Sequence, residues 1–164
     1  MSATTEERLA RLEAIEEIKA LKHRYLRACD AKRPDEFRDC FIASGAVLDY
    51  GPRIGKFTDA DGIAEVFTAI ALQRVDDQYV VLDMHHALHA DIQVLGDGEA
   101  SGAWTLRFRQ VDRRRGTETV SAIEYADRYR IEDGAWRIAS SVVTVLWSLT
   151  TPLPEGHVIV ESFG

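Results

Sequence analysis

Strand-like runs broken only by glycine-bearing turns fill the chain from Tyr79 to Leu149, whereas the residues before Asp76 are mostly helix-forming. This asymmetry narrows the possible folds more than any other feature. The runs are Tyr79 to Val94, Ala100 to Val111, Thr117 to Ile131 and Trp136 to Leu149. Gly96-Asp97-Gly98, Arg115-Gly116 and Asp133-Gly134 separate them, and these are residues that accept the positive φ of tight hairpin turns. In the second run Ala100, Gly102, Trp104, Leu106 and Phe108 alternate with Ser101, Thr105, Arg107 and Arg109, the period-two pattern of a strand with one buried face.

The first third of the chain has a different period. Leu9, Leu12, Ile15, Ile18, Leu21, Tyr25, Ala28 and Cys29 recur at helical spacing. They predict a long helix from Thr4 or Thr5 to about Ala31, with Thr5 as its cap and Glu6 and Glu7 at the positive end of its dipole. A second helix is expected from Pro34 to Phe41, and a short strand from Ala46 to Tyr50. A third helix is expected from Asp59 to Gln73, with Ile63, Val66, Phe67, Ile70 and Ala71 on one side. Helices followed by a meander of strands imply an α+β layer architecture rather than a parallel doubly wound sheet. The expected form is one curved antiparallel sheet around the long helix, enclosing an apolar pocket.

At 164 residues and 46% hydrophobic content the chain fits one domain with a full core. A formal charge of -7 excludes nucleic acid as an expected partner, because phosphate is bound through clustered Lys and Arg. The one basic run, Arg113-Arg114-Arg115, is expected to be a solvated hairpin tip. No apolar stretch is long enough to cross a bilayer, and Met1 to Leu12 is charged throughout. With only Cys29 and Cys40, no disulfide framework arises, and a reduced, cytoplasmic protein is expected. Neither nucleotide-binding glycine motif occurs.

Three histidines cluster in Met84-His85-His86-Ala87-Leu88-His89. On a strand, His85 and His89 share a face but lie roughly 13 Å apart, too far to hold one zinc ion whose ligands sit about 2 Å away. No metal is expected. A single histidine acting as acid or base needs an orienting carboxylate. Asp30 is the candidate, because a carboxylate at a helix C-terminus gains nothing from the dipole. Tyr25, five residues earlier, lies about 140° around the helix and is a candidate only if both residues border one cavity. Strict alternation puts His86, with Met84, Leu88, Ile92 and Val94, on the core side.

Ile18-Lys19-Ala20-Leu21, Tyr25 and Asp30, Phe37 to Phe41, Ala46 to Gly51, His85-His86, Gly96 to Ala100 and Asp133 to Ile138 together resemble the SnoaL-like branch of the nuclear transport factor 2-like superfamily. The likeness runs in order over residues 8 to 149. It is most pronounced toward the dehydratase and dehydrochlorinase members. It implies a cone-shaped α+β barrel in which a curved sheet wraps a long N-terminal helix and two shorter ones. The single domain would span residues 1–164, with a core at about 5–149 and a tail at 150–164. It also implies His85 as a base on a strand, Asp30 as its orienter and Tyr25 as donor to a substrate carbonyl or leaving group, with no cofactor. A bulge near His89 would reconcile that register with the alternation.

Trp104, Leu106, Phe108, Ser121, Ile123 and Tyr125 are expected to line the pocket, with a polar contact from Tyr50 or Asp49. Ser141 stands where the dehydrochlorinase members carry an arginine. The expected ligand is a small apolar, planar or polycyclic molecule. The implied activity is a lyase eliminating water or another group. Carbon–carbon cleavage or isomerisation by the same dyad, or a non-catalytic ligand binder or dioxygenase small-subunit-like protein, are the alternatives. Val120, Ala122 and Ala126 with Ile138, Val142 and Leu146 predict an apolar outer face. That face calls for a homo-oligomer, a trimer by the resemblance and otherwise a dimer. Val158-Ile159-Val160 in the tail is expected to dock on a neighbour.

Overall fold

The structure, a computed structural model, describes residues 3–163. Helix α1 spans Thr5–Asp30, α2 Pro34–Arg38 and α3 Ala60–Ala71. The strands are β1 (Val47–Asp49), β2 (Lys56–Thr58), β3 (Arg74–Val75), β4 (Gln78–Tyr79), β5 (Val81–Gly96), β6 (Glu99–Asp112), β7 (Thr117–Glu132) and β8 (Ala135–Pro152). All four predicted long strands are present, and all three helices.

Thr4, not Thr5, caps α1: its hydroxyl accepts from the Glu7 N–H while Glu7 reaches back to the Thr4 N–H. This reciprocal capping box ties up two helix-end donors that would otherwise lack partners. Leu9 and Leu12 remain exposed, so the first turns of α1 run past the sheet. Ile18, Leu21, Tyr25, Leu26, Ala28 and Cys29 form its buried side. Helix α2 stops at Arg38, short of Phe41, because Phe41 bridges in parallel to Ile138.

The six-stranded sheet has the order β2-β1-β8-β7-β6-β5. It is mixed rather than wholly antiparallel, because β1 runs parallel to β8. It is an open half-cone and not a closed barrel, since β2 and β5 are its two edges. Three bulges set which residues face inward. One extra residue around His89, where φ is +51°, interrupts the β5–β6 pairing between Leu88 and Asp91. Two further register shifts in β7–β8 admit Ala139 and Leu146 as extra residues on β8. Each bulge reverses the alternation beyond it. Ile138 is therefore buried against the core, correcting its expected place on the outer face, while Val142, Trp147 and Leu149 remain outside and exposed.

The end of the tail docks on its own chain through Glu161 and Phe163, while Val158 and Val160 stay exposed. Glu161 accepts from the Tyr79 N–H at 3.0 Å and pairs with Arg113 at 2.9 Å, and Phe163 packs edge-on against Tyr79. Arg113 is thus a structural anchor and not a solvated tip residue. Arg114 and Arg115 are exposed as expected. Among the described residues, no helix is long and apolar enough to cross a membrane.

Candidate active site

The corner where α1 ends against the edge strand β5 brings together the two residues singled out for chemistry. Asp30 Oδ1 lies 2.5 Å from His85 Nδ1, and Asp30 Oδ2 accepts the His85 main-chain N–H at 3.0 Å. One carboxylate therefore grips both the ring and the backbone of the same histidine. That N–H belongs to the free edge of the sheet, so Asp30 also satisfies a donor that would otherwise have no ladder partner. With Nδ1 as the donor to Asp30, Nε2 carries the free lone pair. The ring leans on Phe108, its cross-strand partner, at 4.7 Å between centroids. The His85 side chain is 12% exposed and that of Asp30 29%, so the pair is sheltered but reachable.

The His89 bulge resolves the choice between neighbouring histidines. Asp83, His85 and Ala87 turn inward while Met84, His86 and Leu88 are exposed, and beyond the bulge Ile92 and Val94 return to the inner side. His89 itself contacts the Thr105 hydroxyl at 2.6 Å on the exposed side. Among the described residues no cluster of His, Cys, Asp or Glu could hold a metal ion.

The inner face is built in rows. His85, Phe108, Ser121 and Ser148 form one, and Ala87, Leu106, Ile123 and Val145 the next. Deeper still, Trp104 pairs with Tyr125 and Tyr125 with Val143. Trp104, Leu106, Ile123 and Tyr125 are buried, so most of each side chain is core packing. Ser121 is buried and shares a 2.7 Å hydrogen bond with Ser148. The expected closed sides are incomplete in the single chain: Val145 and Ser148 face inward yet are exposed, because β8 outruns the helices that cover the rest of the face.

Tyr25 is fully buried, wedged between Phe37, Phe41 and Tyr125. Burial raises its phenol pKa well above the ordinary value and does the same to Tyr125, so both stay neutral donors. Burial also raises the Tyr50 phenol. Tyr50, just after β1, packs against the core on the same side as the buried Leu48, so it rather than Asp49 faces inward. The Asp49 carboxylate instead accepts the Gly51 N–H at 2.8 Å and holds the turn.

Ser141 is not a ligand-facing residue. It is wholly buried and donates to Asp127 Oδ1 at 2.6 Å. Asp127 lies 2.7 Å from Lys22 and accepts the Tyr129 hydroxyl at 2.7 Å, while Trp104 donates its indole N–H to Tyr129 at 2.9 Å. Removal from water lowers the Lys22 pKa, against the pull of Asp127. The Lys22 ammonium also sits 3.8 Å from the Tyr125 ring centroid, within cation–π range. Gly102 is required here, since a Cβ would come 2.9 Å from Tyr129 Cε2. This buried floor was not anticipated, nor was a second ion pair beside the dyad, Lys32–Asp83 at 2.7 Å.

A curved sheet folded over a long first helix is the architecture of nuclear transport factor 2-like proteins. The model of the SnoaL-like domain matches residues 10–142, and the chain belongs to that family. A hexachlorocyclohexane dehydrochlorinase of Novosphingobium barchaimii is similar in structure, with a TM-score of 0.74 at 15% identity over 92% of this chain and 97% of that one. A Novosphingobium aromaticivorans protein provisionally assigned as a scytalone dehydratase gives 0.72 at 15%, over 90% and 97%. A Mycobacterium tuberculosis protein of unknown function gives 0.68 at 20%, over 82% and 72%. At these identities the likeness is one of fold. No curated protein sequence matches the chain.

Proposed function

We propose that the protein is a cofactor-independent lyase in which His85 abstracts a carbon-bound proton and a group, foremost water, leaves an apolar cyclic or aromatic small molecule. The observation that carries this reading is the double grip of Asp30 on His85. A carboxylate bound to Nδ1–H fixes the tautomer, aims Nε2 and stabilises the imidazolium that forms when Nε2 takes the proton. The electron pair of the broken C–H bond becomes the new double bond, and the departing hydroxyl takes the abstracted proton from the His85 imidazolium and leaves as water, which returns His85 to its neutral state. Tyr25, with Tyr50 and Tyr125, supplies neutral O–H donors for a substrate oxygen. Ser141, engaged by Asp127, is left out of the substrate contacts.

The dyad distinguishes this reading from a ligand binder. With an activated hydroxy-ketone or aryl alcohol as substrate, His85→Ala is expected to lower kcat by about 10²–10⁴-fold while ligand affinity changes only a few-fold. Asp30→Asn should lower kcat almost as far, and the double variant little further, because the two residues act as one unit. Full turnover by His85→Ala would end the lyase reading.

The outer face supports a companion proposal of self-association, as a trimer by family resemblance and otherwise a dimer. Val142, Trp147 and Leu149 are exposed there beside Val120, Ala122 and Ala126, more apolar surface than a monomer ordinarily leaves wet. Sedimentation of the intact chain should give an oligomer that Trp147→Glu dissociates. A stable monomer at micromolar concentration would refute it.

A further inference from the structure

Helix α1 ends in a two-bond reverse cap. Arg33 N–H bonds Ala28 O at 2.9 Å and Lys32 N–H bonds Cys29 O at 3.3 Å, with Lys32 in the left-handed region at φ +59°. Where a helix ends in this left-handed cap the residue is usually glycine, because a Cβ is strained there. A lysine in this place needs a reason in its side chain. The reason is Asp83: the Lys32 ammonium reaches it at 2.7 Å, with side-chain exposures of only 1% and 7%. Gln110 donates to the other Asp83 oxygen at 2.9 Å.

The arrangement repeats that of the dyad with reversed charge. Asp30 and Lys32, two residues apart at the end of α1, reach His85 and Asp83, two residues apart on the inner side of β5. We propose that Lys32 and Asp83 are positioning residues for the dyad, a second α1–β5 pin that fixes the helix end against the strand and balances the charge around the His85 imidazole. The proposal rests on the reading of His85 as the base. It follows from the geometry of a rigid support around a reacting group: a histidine aimed from an edge strand stays aimed only if the element carrying its carboxylate cannot slide.

The surroundings of the imidazole make the charge role testable. Asp30 and Lys32 approach from α1, and Asp83 lies beside it on β5. On β6 the facing residues Phe108 and Gln110 are uncharged, as are Ser121 on β7 and Ser148 on β8. The Cys29 thiol and the Tyr50 phenol nearby are held neutral by burial. Arg107 and Arg109 lie on the opposite side of the sheet. Lys32 and Asp83 therefore form a mutually cancelling pair, and removing one member exposes the field of the other.

NMR titration of the His85 ring gives the test without using turnover, so its failure is distinguishable from failure of the lyase reading. In Lys32→Gly the unpaired Asp83 carboxylate should raise the His85 titration midpoint on the order of one pH unit. In Asp83→Asn the unpaired Lys32 ammonium should lower it by a similar amount. The double variant, Lys32→Gly with Asp83→Asn, should restore the midpoint while the Nδ1–H resonance exchanges with water about ten-fold faster, because the pin is gone. Lys32→Arg should behave as the parent. Shifts in the same direction, or none, in folded single variants would overturn the proposal. If either single variant fails to fold, a double variant whose Nδ1–H exchanges at the parent rate would overturn it equally.

Discussion

The molecule has two places where charged side chains of α1 meet the sheet, and they are built to opposite rules. At the floor, the side chains of Lys22 and Asp127 are both completely buried, and Ser141 and Tyr129 each donate a further hydrogen bond to the carboxylate. At the corner, Asp30 and His85 remain partly exposed, and among the described residues the second ring nitrogen has no hydrogen-bond partner. The floor resembles a closed circuit and the corner an open one. A buried ion pair closed off from solvent fixes one arrangement of the core and offers nothing to a ligand. A sheltered pair with one vacant lone pair is poised to exchange a proton.

The largest effect should come from breaking the floor. Lys22→Met leaves the Asp127 carboxylate buried and unpaired, and is expected to destabilise the fold by about 3–5 kcal/mol. Lys22→Met combined with Asp127→Leu should recover most of that loss in urea denaturation. If Lys22→Met melted like the parent, the floor would not be the closed structural pair described above.

Alkaline pH should act next, and again on the floor. Burial raises the phenol pKa values of Tyr25, Tyr125 and Tyr129 above the ordinary 10.0. The unfolded chain therefore releases these protons first. Their stabilisation is complete below pH 10 and declines above it, at about 1.4 kcal/mol per phenol per pH unit. The raised thiol of Cys29 begins the decline from its ordinary 9.0. Lys22 works the other way, because its lowered pKa lets the unfolded chain hold an extra proton until pH passes 10.5. With Tyr50, which burial also raises, four phenols outweigh one lysine, so urea midpoints should fall between pH 9 and 11. A midpoint that rose with pH over that range would show that the phenols are not sealed from water.

The smallest effect on stability should come from the corner. Asp30→Asn keeps the shape and replaces a partly exposed charge-assisted bond, so a change of about 1 kcal/mol or less is expected in the same denaturation series. A loss as large as that of Lys22→Met would make Asp30 a structural residue and remove the contrast between the two sites.

Much of this was legible in the chain itself. The period of Ala100 to Phe108 placed Trp104 and Leu106 inside, and β6 follows it without a break. The turn glycines placed the hairpins. A signal for the floor was present but unused: Lys22 interrupts the apolar stripe between Ile18 and Tyr25, and Asp127 occupies an inward position between Tyr125 and Tyr129. Two lone charges on inward faces predict one another. The small strands β2, β3 and β4 carry two or three residues each, too few for any period to register.

The order of helices and strands, and the faces of β6 and β7, follow from the sequence alone because hydrophobic period and turn chemistry act over a few neighbouring residues. Which histidine faces inward, and whether Ile138 is core or surface, were decided only in three dimensions. A bulge adds one residue to one strand and reverses every face beyond it, and its place depends on the partner strand. The pairing of Lys32 with Asp83 is of the same kind. No local preference puts a lysine at a left-handed helix end, and only the approach of β5, 51 residues away along the chain, gives that conformation a partner.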